Sequence, residues 1–222
     1  MRRVVGKQVV ELTDDAFAEL RAGYRAVLLD VGTGDGKHPY AVARQRPDWL
    51  VIGLDANRDN LRKLSTRAAA NPAKGGLPNL LYVWAAAERL PEALTDIAEL
   101  HVLMPWGSLL RGLLDTDSTM LRGLAAVCRP GADFLVTLNL HAWRPPVPEV
   151  GQTEEPTPES ATTVLAERYA SAGWRLADAR YLDQQEITAL STSWTRRLNS
   201  SRDQLDVLAL SGTIAPAHAA AS

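Results

Sequence analysis

The sequence predicts an α/β fold: an open, mostly parallel sheet of seven strands with helices on both faces and a β-hairpin extension ahead of it. Three observations carry that reading. From Arg25 onward short apolar runs alternate with helical segments, the first run ends in the glycine-rich turn Asp30-Val31-Gly32-Thr33-Gly34-Asp35-Gly36, and the second ends in an acid, Asp55. Such alternation is the βαβ pattern, whose right-handed crossovers bring the carboxy ends of the strands to one edge.

The elements follow in order. Val4-Val5 and Val9-Val10 flank a Gly6-Lys7 turn, which predicts the hairpin. Thr13 suits an N-cap, Asp14 and Asp15 suit a first helical turn, and Phe17 and Leu20 give that helix its apolar contact. Strands are expected at 26–31, 50–55, 79–84, 99–104 and 132–139, with a helix from Lys37 to Arg46. After Leu140 comes a loop rich in Pro, Glu and Thr up to Pro158, then a helix from Thr163 to Ala172. Segments 174–182 and 204–212 read as a final antiparallel pair of strands. We expect one domain over 1–213, with 1–24 as its extension and 214–222 as a disordered tail.

The glycine turn is the first candidate site. Only residues without Cβ let the chain turn so tightly and let a ligand approach the backbone, so Gly32, Thr33 and Gly34 are expected at a cofactor. The spacing G-x-G-x-G differs from the dinucleotide fingerprint G-x-G-x-x-G. Asp30 would repel phosphate and welcome a cation, such as the amino or sulfonium group of S-adenosylmethionine. Asp55 lies where an acid accepts bonds from ribose hydroxyls, a device that NAD enzymes share. The third strand runs into Ala85-Ala86-Ala87-Glu88, whose small residues leave room for an adenine ring. Glu88 can bond that ring's edge, and equally suits a helix start.

Composition narrows the function classes. The 222 residues are 46% hydrophobic, enough for one good core, and carry a net charge of −2, unlike proteins that coat nucleic acid indiscriminately. No apolar run approaches the roughly twenty residues that span a bilayer, and the start has no signal-peptide core, so a cytoplasmic location is expected. Cys128 is the only cysteine, which excludes an internal disulfide and a cysteine-rich zinc site; its apolar approach marks it as a core residue. No metal is expected. Basic residues nevertheless cluster. Arg2, Arg3 and Lys7 form one group; Arg62, Lys63, Arg67 and Lys74 a second, with no acid from Asn60 to Ala87; and Arg196, Arg197 and Arg202 a third. Any one such cluster suits a solvated face, and three together suit a shaped polyanion.

Two of the six tryptophans stand out. Trp106 follows the fourth strand in Leu103-Met104-Pro105-Trp106-Gly107-Ser108, and Trp194 sits in polar, basic sequence. Trp49, Trp84 and Trp174 read as core. A pair of exposed rings can grip an extruded base, at roughly 1–3 kcal/mol per base, against an unstacking cost of similar size. Adenine N1 has a free lone pair, so its methylation needs no general base, and the positive charge that results suits aromatic faces.

Asp30 to Lys37, Pro72 to Leu80, His101 to Arg111, Asn139 to Arg144 and Ser193 to Leu198 together resemble the Kam-type aminoglycoside-resistance methyltransferases of actinomycetes. These modify N1 of adenine 1408 in the decoding site of 16S rRNA, and the similarity runs from Met1 to about Thr213. It implies a Rossmann-like class I methyltransferase fold, S-adenosylmethionine as cofactor and the 30S subunit as partner, with the protein acting as a monomer. Carried over by position, Asp30, Gly32, Asp55, Ala87 and Glu88 would line the donor site, with Thr192 and Ser193 as further contacts. Trp106 and Trp194 would hold the flipped adenine. Arg196, Arg197 and Arg202, with the second basic group, would meet the rRNA. Two other readings remain from the sequence: a small-molecule methyltransferase, and an NAD(P)-dependent oxidoreductase.

Overall fold

A computed structural model describes residues 1–145, 149–151, 153–190 and 206–215. Among these residues nine strands form one mixed sheet, in the order β2-β1-β5-β4-β3-β6-β7-β9-β8. The expected seven strands are all present: β3 (Ala26–Val31), β4 (Trp49–Asp55), β5 (Leu80–Trp84), β6 (Ile97–Leu103), β7 (Cys128–Asn139), β8 (Trp174–Tyr181) and β9 (Val207–Ile214). The other two, β1 (Arg2–Val5) and β2 (Gln8–Glu11), are the hairpin, and here the expectation is corrected. The hairpin joins the sheet through β1, which runs antiparallel to β5 with Arg3 opposite Val83, and so covers an edge strand that would otherwise carry unpaired backbone groups.

Strands β5, β4, β3, β6 and β7 are parallel, and β9 pairs antiparallel with both β7 and β8. Because β3 lies between β4 and β6, the chain leaves β3 in one direction and returns on its other side. Ligands of open α/β sheets bind outside the carboxy ends of strands at such a switch. Alternate residues of the central strands feed two cores. Leu28, Val51 and Tyr82 pack under α2 (Lys37–Gln45) and α3 (Arg58–Ala68), while Val27, Leu29, Leu50 and Ile52 face the other layer. Both faces are dry, which is why these strands read as continuous apolar runs. Each fully buried Leu or Ile contributes roughly 1.5–3 kcal/mol.

Thr13 caps α1 (Asp14–Ala22) by accepting from Ala16 N at 3.3 Å, and Phe17 is buried beneath it. The later helix begins before the expected Thr163. Pro158–Ser160 (α6) and Ala166–Ser171 (α7) are joined through a π-helical turn, with Thr157 as N-cap and Pro158 in the first turn. A Thr-Pro pair is a helix start signal that outweighs the loop-like composition before it. A short helix, α8 (Gln184–Ala189), begins with a capping box of Asp183 and Glu186 that the strand-based reading passes over. The last strand reaches Ile214, which is fully buried, so 214 belongs to the sheet rather than to a tail. Cys128 is buried as expected; its Sγ lies 3.4 Å from Leu124 O, and burial pushes the thiol up to about 12.

Candidate cofactor cleft and target-base site

At the carboxy edge, a cleft is lined by Gly32 and Gly34 after β3, Leu54 to Ala56 at the end of β4, Ala85, Ala87 and Glu88 after β5, and Met104 to Trp106 after β6. Ser108 and Leu109 close it from α4 (Gly107–Leu114). The glycine turn lies against the end of β4. Gly32 N and Thr33 N both donate to Leu54 O, at 2.8 and 3.0 Å, and Gly34 N donates to Asp55 Oδ2 at 2.7 Å. Gly32, Gly34 and Gly36 all have positive φ. Gly32 has φ +72°, a conformation that L side chains resist, whereas the Leu109 methyl that a Cβ would meet at 2.7 Å is the free end of a side chain and can move aside.

The acids behave differently from one another. Asp55 lines the cleft and is 9% exposed; Oδ1 accepts from Asn57 N at 2.7 Å, and Oδ2 holds Gly34. Burial pushes its carboxyl up, and the bonds from Asn57 and Gly34 oppose that. A carboxylate has about four lone-pair positions, so Asp55 keeps acceptor capacity toward a ribose while it fastens the turn. Asp30 does not form part of the cleft wall. It is 1% exposed, lies beneath the turn, and accepts from Thr33 Oγ1 at 2.5 Å. Thr33 likewise turns inward to Asp30, leaving Gly32 and Gly34 at the surface of the cleft. Ala87 and Glu88 line the cleft beyond β5.

At the far side of the cleft the chain turns sharply after β6. Met104 is one of two non-glycine residues with positive φ among those described, and Gly107 has φ +61°. Met104 N is held by Thr137, at 2.9 Å to its carbonyl and 3.0 Å to its hydroxyl. The turn leaves Trp106 39% exposed at the cleft's rim, an unusual position for a residue this large. Backbone held in such a conformation costs about 1–3 kcal/mol and collects at functional sites.

Of the tryptophans read as core, only Trp174 is fully buried. Trp84 and Trp49 are half-buried, and both lie under guanidinium groups: Arg2 at 4.0 Å and Arg58 at 5.6 Å from the Trp84 ring, Arg46 and Arg25 over Trp49. In the second basic group Arg62 pairs with Asp59 at 2.9 Å and Arg67 lies over the Tyr40 ring, while Lys63 and Lys74 are exposed. Thr192, Ser193, Trp194, Arg196, Arg197 and Arg202 lie outside the described residues. No group of three or more His, Cys, Asp or Glu that would suit a metal occurs among the described residues.

Residues that sequence reasoning missed are Met104, Pro105, Ser108 and Leu109 as cleft wall, and a part-buried chain of His38, His101 and Glu99 beside the turn. Apolar wall residues look like any core residue, and no local spacing joins His38 to His101.

A cleft at the switch point of an open α/β sheet, walled by glycines and by an acid at the end of the second parallel strand, defines a Rossmann-like cofactor-binding fold with a mixed sheet, and the solved structures that superpose on it make that fold a methyltransferase's. Residues 2–213 match the family model described as NpmA, 16S rRNA (adenine(1408)-N(1))-methyltransferase. The chain belongs to that family. A 16S rRNA (adenine(1408)-N(1))-methyltransferase of Streptoalloteichus tenebrarius is 68% identical over 97% of this chain and 100% of its own. The 16S rRNA methyltransferase KamB superposes with a TM-score of 0.94, at 68% identity, over 97% of this chain and 100% of that one. A tryptophan-to-alanine mutant of the 16S rRNA (adenine(1408)-N(1))-methyltransferase from Catenulisporales acidiphilia, solved with its cosubstrate SAM, has a TM-score of 0.88 at 38% identity, with 100% of both chains covered.

Proposed function

We propose that this protein transfers the methyl group of S-adenosylmethionine to N1 of adenine 1408 in 16S rRNA, and so confers aminoglycoside resistance. The observation that carries the reading is the cleft itself, with the Gly34–Asp55 clasp on one side and the exposed Trp106 on the other. The residues present fit the donor. Glycine backbone at Gly32 and Gly34 permits close approach, Asp55 retains acceptor capacity for ribose hydroxyls, and Ala85 and Ala87 leave space for a flat ring beside Glu88. When bound, the donor supplies an electrophilic methyl on a sulfonium.

The protein's part is then largely positional. Adenine N1 attacks with its own lone pair, so no residue has to remove a proton; holding N1 in line with the methyl lowers the barrier by alignment. Trp106 from the rim and Trp194 from the later segment stack on the extruded base and stabilise its new positive charge. The added methyl and charge stand on the Watson–Crick edge that the drug would bond. Arg62, Lys63, Arg67 and Lys74, with Arg196, Arg197 and Arg202, dock the backbone of the rRNA, and the intact 30S subunit is the substrate of a single-domain, monomeric, cytoplasmic enzyme.

Primer extension on 30S subunits treated with enzyme and donor tests this directly. N1-methylation blocks pairing and stops the polymerase beside adenine 1408; full read-through with active donor-bound enzyme would overturn the reading.

A further inference from the structure

A part-buried hydrogen-bonded chain runs beside the glycine turn, outside the residues that line the cleft. His38 Nδ1 lies 2.9 Å from Leu190 O, at the end of α8; His38 Nε2 lies 2.8 Å from His101 Nδ1; and His101 Nε2 lies 2.8 Å from Glu99 Oε1. The other Glu99 oxygen is bonded by Arg46. His38 enters from α2, directly after the turn, and His101 and Glu99 from β6. Asp30, on β3 between them, lies within electrostatic reach of both imidazoles.

The protons of this chain can be counted. A carbonyl only accepts, so His38 Nδ1 carries a hydrogen. Glu99 is a carboxylate: burial pushes it up, but the bonds from His101 and Arg46 prevail and hold it at about 2. His101 Nε2 therefore donates to it. The short contact between the two remaining nitrogens needs one more hydrogen, since two facing lone pairs would repel. Three hydrogens on the four ring nitrogens amount to one positive charge shared by the pair. Burial pushes the His38 imidazole down, and the nearby carboxylate of Asp30 opposes that.

That charge has a use beyond Glu99. Asp30 is almost wholly buried, bonded to Thr33, and burial pushes its carboxyl up while His38, Thr33 and His101 oppose it. Asp55 from β4 and Tyr82 from β5 also face Asp30 electrostatically, and neither is a cation. Without the shared proton, Asp30, Glu99 and Asp55 would be set against Arg46 alone among the groups named.

We propose that His38 and His101 are positioning residues for donor binding, whose shared proton is the buried countercharge that keeps Asp30 ionised beneath the glycine turn. Asp30 in turn attracts the cationic end of the donor across the turn. The inference rests on the donor reading above, and the experiment separates the two.

S-adenosylmethionine is titrated calorimetrically into wild type, His101→Gln, His38→Gln, Asp30→Asn and the Asp30→Asn/His101→Gln double variant between pH 6 and 8.5, with thermal melts to verify folding. In His101→Gln the loss of affinity at acid pH moves upward by about one pH unit, equivalent to about tenfold weaker binding within that window. His38→Gln moves it in the same direction, and the shift vanishes in the Asp30→Asn background. Parallel profiles, or an equal loss at every pH, would overturn the countercharge role and leave His38 and His101 as packing. If one histidine variant does not fold, the other supplies the same comparison. Failure of wild type to bind the donor at any pH would instead overturn the donor reading itself.

Discussion

Asp55 Oδ2 accepts from the backbone N–H of Gly34 at 2.7 Å, so the acid that ends β4 fastens the turn that follows β3. The two landmarks of the sequence are thus one device. An acid at this position is expected to wait for a ribose; here it also fixes the wall against which that ribose would lie.

Replacing Asp55 with Ala leaves Gly34 N and Asn57 N without their acceptor. Both bonds are part-buried, and a hydrogen bond of this kind contributes about 0.5–1.5 kcal/mol net, so denaturant unfolding should show a loss of about 1–3 kcal/mol for the two together. Donor affinity measured by calorimetry should fall about tenfold or more, since wall and ribose acceptor go together. Unchanged affinity would separate the clasp from the cofactor.

Gly36 has φ +75°, its Cβ would overlap the Tyr82 ring, and its carbonyl accepts from Tyr82 Oη at 2.6 Å. Gly36→Ala should destabilise the fold by about 1–3 kcal/mol. Gly123, in α5 (Thr119–Ala126) with open space around it, is the contrast: Gly123→Ala should be neutral or stabilise by up to about 1 kcal/mol. Equal effects at the two sites would contradict the packing described for the turn.

Trp106→Ala and Trp194→Ala should each cut methylation of 30S subunits at least about tenfold, given what base stacking contributes. Donor affinity should change less than about threefold, because neither ring is needed to hold the cofactor. Primer extension and calorimetry read the two effects separately; wild-type methylation by either variant would remove that ring from the target site.

Charge reversal at Arg197 and Arg202 should weaken binding to 30S subunits and reduce its salt dependence by about one slope unit for each phosphate that is no longer neutralised. Donor binding should be untouched. A small-molecule methyltransferase would keep full activity after the same changes.

Burial pushes the Glu99 carboxyl up, yet the bonds from His101 and Arg46 hold it at about 2, below its ordinary 4.5. A depressed carboxylate contributes stability that is present above 4.5 and is lost as pH falls toward 2. Glu99→Gln should therefore flatten the acid side of the stability curve while leaving less stability at neutral pH. An unaltered acid limb would show that the His101 and Arg46 bonds do not set it.

Much of the architecture was legible because its signals are local. Val27-Leu28-Leu29 ahead of a glycine turn favours a strand buried on both faces, and Thr13 before Asp14-Asp15 favours a helix start. The glycines of the turn were legible for the same reason, since each needs a backbone conformation that other residues resist. Trp106 was legible by its misfit: a large ring beside Pro105 and Gly107 has no apolar period to join. The start of the later helix and α8 were missed where a cap signal was weighed below composition.

By itself, then, the sequence determined the succession of strands, the glycine turn, the acids at two strand ends and the exposed ring, because each follows from local conformation or from residue type. Tertiary structure decided what those groups touch. It placed Asp30 under the turn instead of in the cleft, made Asp55 a clasp, drew the hairpin into the sheet, and joined His38 to His101 across 63 positions of chain. The physical reason is that hydrogen bonds and burial act over a few ångströms in space, and only the packing of β3 between β4 and β6 sets which residues meet at that range.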